Sequence, residues 1–327
     1  MRILKGLPPF ETDASEPADE PIGVSVALGN FDGAHRGHRV VIDAAGRAAA
    51  ARSLAHGVVT FEPHPRQVFQ PDAPPFRLTT EAQKARKLAA LGVERLFVLP
   101  FDTRLSSLGA EAFAEDVLAR GVRARHVVVG RDFRFGKGRE GDVAALAAFG
   151  ERFGFTVEVV EKLGETEGEV FSSSAARAAL QEGRPRDAAR ILGDWHRIDG
   201  PVERGDQRGR DLGYPTANQA LPTEALHPAY GIYAVRVEVC DGPHQGRYDG
   251  VASLGLRPTF DKTVPNFETF IFDFSGDLYG AALSVSLCDY LRPEIRFDGI
   301  EPLIRQMDVD SAQAREILGS LTEPWVA

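Results

Sequence analysis

The chain has 327 residues, 43% of them hydrophobic, and a formal net charge of −9. That length exceeds one average core and predicts two domains, and the acidic balance with no long Lys/Arg run argues against a duplex nucleic acid partner. Two cysteines, Cys240 and Cys288, exclude a disulfide framework or a cysteine-rich zinc site, and no run of about 20 apolar residues suits a membrane span. The start, residues 1–20, is acidic and contains proline but no apolar segment of a secretory signal, so a cytoplasmic protein is expected.

In chain order, the first clear element is the apolar run Val24–Leu28. It is followed by Gly-Asn-Phe-Asp-Gly-Ala-His-Arg-Gly-His (Gly29 to His38) and then by a helical pattern through Val40, Val41, Ala44 and Ala45. Strand, glycine turn and helix start in that order offer free backbone N–H groups and a positive dipole end, which suit phosphate. Further short β-like runs are Val58–Phe61, Arg95–Leu99, His126–Val129 and Thr156–Val160. Amphipathic stretches Arg36–Arg52, Glu81–Leu91, Ala110–Arg120 and Asp142–Phe153 separate them. This alternation predicts an α/β domain with a doubly wound parallel sheet, whose ligands bind beyond the carboxyl ends of the strands.

After about residue 184 the texture changes. Gly183 and Pro185 break a helix there, and helical patterns are expected to stop. β-rich runs follow at Ile232–Val239, Val251–Leu256, Glu268–Phe274 and Leu283–Leu291, with one closing helical pattern, Pro302–Leu318. The expected second domain is a small β-barrel with a terminal helix. The predicted boundaries are 1–184 and 185–327.

The chemistry of the first domain centres on His35 and His38, which share one face of a helix's first turn. They can stabilise charge on nucleotide phosphates during displacement. Gly29, Asn30, Phe31, Asp32 and Gly37 complete the expected nucleotide-phosphate-binding turn; Gly37, lacking a Cβ, would let a phosphate approach the backbone. In the second domain, Gly205, Gly209, Arg210 and Gly213 belong to a glycine-rich loop that lacks the Gly-Lys-Ser/Thr ending of a P-loop, yet can wrap a triphosphate. Asp206 and Asp211 would shape that loop. Thr216 and Asn218 alternate on an extended segment, so their oxygens share one side and suit Mg²⁺.

The His-x-Gly-His pattern is that of nucleotidyltransferases. Phe171–Leu180 resembles the Ile-Ser-Ser-Thr-x-x-Arg segment of the same superfamily, with Ser173 and Ser174 capping a helix and Arg177 clamping a phosphate. Thr60–Phe69, Arg77–Thr80 with Lys84, and Gly130–Gly136 narrow the resemblance further. So do Gly205–Asn218, Gly231–Val235, Arg257–Phe260 and Phe272–Gly280 in the second domain. Together they resemble the bifunctional prokaryotic riboflavin kinase/FAD synthetase family over nearly the whole chain. The resemblance implies a nucleotidyltransferase-like Rossmann domain that adenylylates FMN, with His64 near the ATP phosphates and Asp132 and Phe135 on the flavin ring. It implies a second domain that phosphorylates riboflavin, with Glu268 as the base. ATP, riboflavin and FMN are the implied partners, FAD the product and Mg²⁺ the metal.

The chain departs from the family where Phe270 replaces a frequent histidine, Ser253 a frequent asparagine, and Ala175 and Ala176 basic or bulky residues. Other readings of the same residues stay open. Asp32, His35, His38 and His64 could be metal ligands of a phosphohydrolase. A decayed kinase domain would leave a flavin-binding protein. Glu268 could be a strand carboxylate paired with Arg257, and Phe135 part of a packed turn. Arg131, Arg134, Lys137 and Arg139 could be a solvated face or could steer anions. A homo-oligomer is also open.

Overall fold

The computed structural model describes residues 1–8, 23–161, 163, 171–205, 213–258 and 263–321. Gly209, Arg210, Asp206 and Asp211 lie outside the described residues, as does the side chain of Arg257. The chain divides into two compact units, Met1–Pro74 with Thr79–Phe171, and Pro75–Leu78 with Ser172–Ala327.

In the first unit, strands β1 (Arg2–Lys5), β2 (Val24–Leu28), β3 (Ala55–Glu62), β4 (Arg95–Pro100), β5 (Ala124–Gly130) and β6 (Thr156–Val160) form one parallel sheet. Their order is β1-β4-β3-β2-β5-β6. Both faces are covered. Val26 and Leu28 of β2 join a core with Phe113, Val117 and Leu146. Ala27, between them in sequence, joins Ile42, Ala45 and Leu88 on the opposite face. Period-two alternation thus buries every residue of β2, which is why it reads as an unbroken apolar run. The order reverses between β2 and β5, so the crevice for a ligand opens beyond the carboxyl ends of these two strands. Helices α1 (Arg36–Arg52), α2 (Pro65–Phe69) and α3 (Glu81–Ala90) follow β2 and β3.

In the second unit, β7 (His196–Pro201), β8 (Thr216–Ala220), β9 (Gly231–Val239), β10 (Gly246–Pro258), β11 (Thr263–Ile271) and β12 (Ala282–Arg292) pair antiparallel. Their order is β7-β12-β9-β10-β11-β8. A bridge from Glu203 N–H to the Asn218 carbonyl, 2.8 Å, joins the two ends of the sheet. Tyr233, Val235, Leu254, Phe267 and Val285 fill the interior. The terminal helix Ile300–Ser320 lays Ala314 and Leu318 on an outer apolar patch formed by Ala234, Phe272 and Cys288.

Several expectations need correction. Helices do not stop at residue 184: Pro185–Leu192 is a helix burying Ala188, Ala189, Ile191 and Leu192. Proline in a first turn starts a helix because the N–H it lacks would have no partner there. The Ala110–Arg120 pattern begins as α-helix at Ala110–Ala112 and continues in wider π-type turns over Phe113–Gly121. The strand expected at Glu268–Phe274 runs over Thr263–Ile271, and Asp273 turns the chain with φ 54°. Strands β1 and β7 escaped notice because neither presents a run of apolar residues.

Candidate active sites

The turn after β2 holds left-handed backbone at Phe31 (φ 50°), Gly33 (82°) and Ala34 (45°). Non-glycine residues in that region cost about 1–3 kcal/mol each, so surrounding contacts must hold them. Asp32, only 1% exposed, does so from below. Its Oδ1 accepts from the Thr79 N–H (3.1 Å) and hydroxyl (3.2 Å), while Thr79 Oγ1 accepts from the Gly33 N–H at 3.0 Å. Asp32 is a brace under the turn. Asn30 offers its carbonyl to Thr60 Oγ1 (3.0 Å) and to Lys84 Nζ (3.1 Å).

His35 caps α1 with its ring: Nδ1 accepts the His38 N–H at 3.2 Å. Its neutral ring therefore carries the proton on Nε2, a donor. His64 repeats the device at α2, with Nδ1 accepting the Arg66 N–H at 3.1 Å. The His35 and His38 rings stack with centroids 3.5 Å apart, and Phe31 meets His38 edge-on at 5.2 Å. No acidic residue stands in the first turn of α1, so its positive end is left for an anion. Gly37 has a different reason from the one expected. A Cβ there would lie 2.6 Å from the Phe171 carbonyl oxygen and 3.1 Å from the His35 ring, so glycine is required by packing of the protein itself.

Asp132 is exposed beyond the end of β5. Phe135 is buried, stacked on Phe133 (5.7 Å) and tilted against Phe113 (5.8 Å). Phe69, at the end of α2 and 68% exposed, meets Phe101 edge-on at 5.6 Å, and Phe101 meets Phe61 at 5.9 Å. An exposed ring in the helix that His64 starts was missed from sequence, where Phe69 read only as the end of a family segment.

Ser173, Ser174 and Arg177 belong to the second unit. The capping residue of their helix is Ser172, whose hydroxyl accepts the Ala175 N–H at 3.2 Å; Ser173 and Ser174 are the first helical residues. Arg177 Nε donates to the Phe76 carbonyl at 2.8 Å and its guanidinium lies 5.2 Å from the Phe76 ring centroid.

In the barrel, register brings Ser253, Glu268 and Asn218 into one cross-strand row over β10, β11 and β8, with Val251, Phe270 and Thr216 in a second row two residues along. Glu268 Oε2 accepts from Thr216 Oγ1 at 3.2 Å, and its Oε1 accepts from Asn266 Nδ2. Asn218 Nδ2 donates to the Thr216 carbonyl at 3.3 Å. Its buried Oδ1 has no hydrogen-bond partner among the described residues, and is an oxygen of the kind that suits a hard cation. Gly205 backs onto Asn218, where a Cβ would come within 2.6 Å of the amide, and Gly213 turns the chain at φ 82°.

Two clefts meet at Thr216. One, about 260 Å³, lies under the terminal helix and is lined by Glu268, Phe270, Ser253, Arg292, Phe297 and Met307 among others. The other, about 290 Å³, is lined by Pro215, Thr269, Phe274, Gly276, Asp277 and Tyr279 among others. Thr216 lines both. Tyr214 lines the first, with its ring 4.8 Å from Phe270 and its hydroxyl donating to Asp308. Burial first, then Asp308, pushes its phenol up to about 12.

Each unit thus offers a phosphate-handling constellation of its own, which is the architecture of a two-module phosphotransfer enzyme. Among the described residues, no group of three His, Cys, Asp or Glu side chains is placed to hold a metal. No described helix is long and apolar enough to cross a membrane.

The FAD synthetase family matches residues 18–175 and the riboflavin kinase family residues 192–318. The bifunctional riboflavin kinase/FMN adenylyltransferase of Escherichia coli K12 is 36% identical over 99% of this chain and 100% of its own length. Its counterparts in Pseudomonas fluorescens and Bacillus subtilis are 38% and 36% identical, each over 90% of this chain and 93% of the relative. A crystal structure described as a macrolide-efflux protein from Streptococcus pneumoniae superposes with a TM-score of 0.80 at 32% identity, covering 92% of this chain and 95% of that one. Efflux is said of that protein; the likeness here is one of fold. The chain belongs to the bifunctional riboflavin kinase/FMN adenylyltransferase family.

Proposed function

We propose that residues 185–327 phosphorylate riboflavin to FMN and residues 1–184 adenylylate FMN to FAD, with ATP as donor in both steps. The observation that carries the reading is Thr216, which lines two clefts at once and hydrogen-bonds Glu268. Two substrates, one on each side of a shared wall that holds a carboxylate, is what a kinase requires.

The flavin occupies the cleft under the terminal helix, against Phe270 and Phe297, and ATP the cleft beside Asp277 and Tyr279. Glu268 takes the proton of the ribityl hydroxyl as its oxygen attacks the γ-phosphorus and ADP leaves. Gly205, Gly209, Arg210 and Gly213 wrap the triphosphate. Thr216 and Asn218 would hold Mg²⁺, which would supply neutralisation of charge on the phosphates. Phe270 and Ser253 stand in the flavin cleft and leave Glu268, Thr216 and Asn218 in place.

In the second step an oxygen of the FMN phosphate attacks the α-phosphorus of ATP and pyrophosphate leaves. His35 and His64 present Nε2–H donors to the charge that develops, and His38 stacks on His35. Gly29, Asn30, Phe31 and Gly37 shape the turn, and Asp32 braces it. Asp132 contacts the flavin, and Phe135 supports Phe133 from behind. Purified protein given riboflavin, ATP and Mg²⁺ forms FMN, then FAD and pyrophosphate, followed chromatographically. Absence of FMN defeats the kinase reading; FMN without FAD defeats the adenylyltransferase reading.

A further inference from the structure

Lys84, on α3, is 1% exposed. Its ammonium meets three acceptors, one for each donor: Glu62 Oε1 at 2.7 Å, Thr60 Oγ1 at 3.1 Å and the Asn30 carbonyl at 3.1 Å. Leu88, one turn later on the same helix, lies in an apolar core. A charge at such a depth is costly unless fully paired, so packing alone would favour another apolar residue.

The acceptors belong to two segments, the turn after β2 and the end of β3. Asn30 is in the turn after β2. Glu62 ends β3 and directly precedes Pro63 and His64. Thr60 donates to the same Asn30 carbonyl at 3.0 Å, so that oxygen is drawn inward by two donors. The Asn30–Phe31 peptide is trans, because the described cis bond is Glu62–Pro63. In a trans peptide the N–H points opposite to the carbonyl. Drawing the Asn30 oxygen inward therefore turns the Phe31 N–H outward, away from Lys84.

We propose that Lys84 is a positioning residue for adenylyl transfer. It fixes the Asn30–Phe31 peptide so that the Phe31 N–H serves as a phosphate donor, and through Glu62 it ties that turn to the His64 segment. This rests on the reading of Gly29–His38 as the adenylyl-transfer turn.

The test is FAD formation from supplied FMN and ATP by the full chain, with melting temperature measured in parallel. Lys84→Met deletes the three donors but strands the Glu62 carboxylate; the pair Lys84→Met with Glu62→Gln removes that stranded charge and recovers stability. In both, kcat/KM for ATP is expected about tenfold or more below the parent chain. If the rate of the pair returns with its melting temperature, Lys84 serves folding alone and the proposal is overturned. Thr60→Val keeps the ion pair and removes one of the two donors to Asn30. It is expected to lower kcat/KM about threefold, and an unchanged value overturns the proposal whatever the other two variants do. A His35→Ala/His38→Ala chain separates the two levels. Full transfer in that chain defeats the reading of the turn. Lost transfer there, with undiminished transfer in the Lys84 and Thr60 variants, defeats only the role of Lys84.

Discussion

The two units solve one problem, presenting polar groups to phosphate, in opposite ways. In the first, β2 is buried on both faces, so its residues cannot reach a ligand, and the chemistry sits on the turn beyond its end. Three charges, Lys84, Glu62 and Asp32, brace that turn from within the unit. In the second, an antiparallel sheet buries alternate residues. Along β11, Glu268 and Phe270 put one face into the cleft under the terminal helix, while Phe267, Thr269 and Ile271, alternating with them, are buried, Thr269 and Ile271 against the other cleft. A parallel sheet gives its ends to function, and a barrel can give one face of a strand. Damage should follow that division: the barrel should be most sensitive to the loss of one side chain on a strand, and the α/β unit also to a change in the shape of a turn.

The largest expected effect comes from Glu268→Gln. Glutamine keeps an oxygen for Thr216 and loses the capacity to take a proton. Riboflavin phosphorylation should fall about 10²- to 10⁴-fold in kcat, while FAD formation from supplied FMN is unchanged. Undiminished FMN formation would remove Glu268 as the base. Next is Gly37→Ala, which changes no chemical group. The added Cβ meets a backbone oxygen, which cannot swing aside as a side chain would. A loss of about 1–3 kcal/mol is expected in denaturant unfolding of the first unit, with slower adenylyl transfer. If stability holds and only nucleotide affinity changes, Gly37 is there for the phosphate after all. Smaller again is Tyr214→Phe. The ring keeps its place on Phe270 and loses the bond to Asp308, for about 1 kcal/mol and a weaker hold on riboflavin, read as a higher KM. An unaltered KM would make that bond irrelevant to the flavin cleft.

The parts legible in the sequence are those in which one local pattern does one job. The apolar run of β2, the glycine turn and the α1 periodicity all report the same buried strand and helix start. Thr216, Asn218 and Glu268 were legible as a family signature, and the structure adds the register that makes them neighbours. Lys84, Thr79 and Thr60 were not legible as a group. Their roles arise from contacts 22 to 54 residues apart in sequence, which no local periodicity encodes. Phe135, placed on the flavin by resemblance with a packed turn as the other reading, is buried, because a turn closed by Gly141 folds the ring inward. The helix at Pro185 is hidden in the sequence because a proline reads as a stop, while its place in the first turn makes it a start.

The smallest effect expected is on stability near neutral pH, and it tests whether the α/β unit tolerates charge only where it is paired. His126, on β5, is buried with Nδ1 2.7 Å from Thr156 Oγ1 and Nε2 3.3 Å from Glu158 Oε2. Burial lowers its pKa from the ordinary 6.5, with Glu158 opposing and Arg52 assisting. The ring is then neutral in both folded and unfolded chains above the ordinary value. As pH falls through it the unfolded chain takes up the proton first, so folding stability declines until the lower folded-state value is passed. His227 in the second unit, also lowered by burial, contributes in the same direction. Urea midpoints of the parent chain should therefore fall between about pH 7.5 and pH 6, a range in which ordinary carboxylates stay ionised. His126→Gln should flatten the part of that slope that follows the first unit's unfolding. A midpoint independent of pH in the parent chain would mean that His126 is protonated equally readily in both states, and the Glu158 carboxylate would then compensate fully for burial.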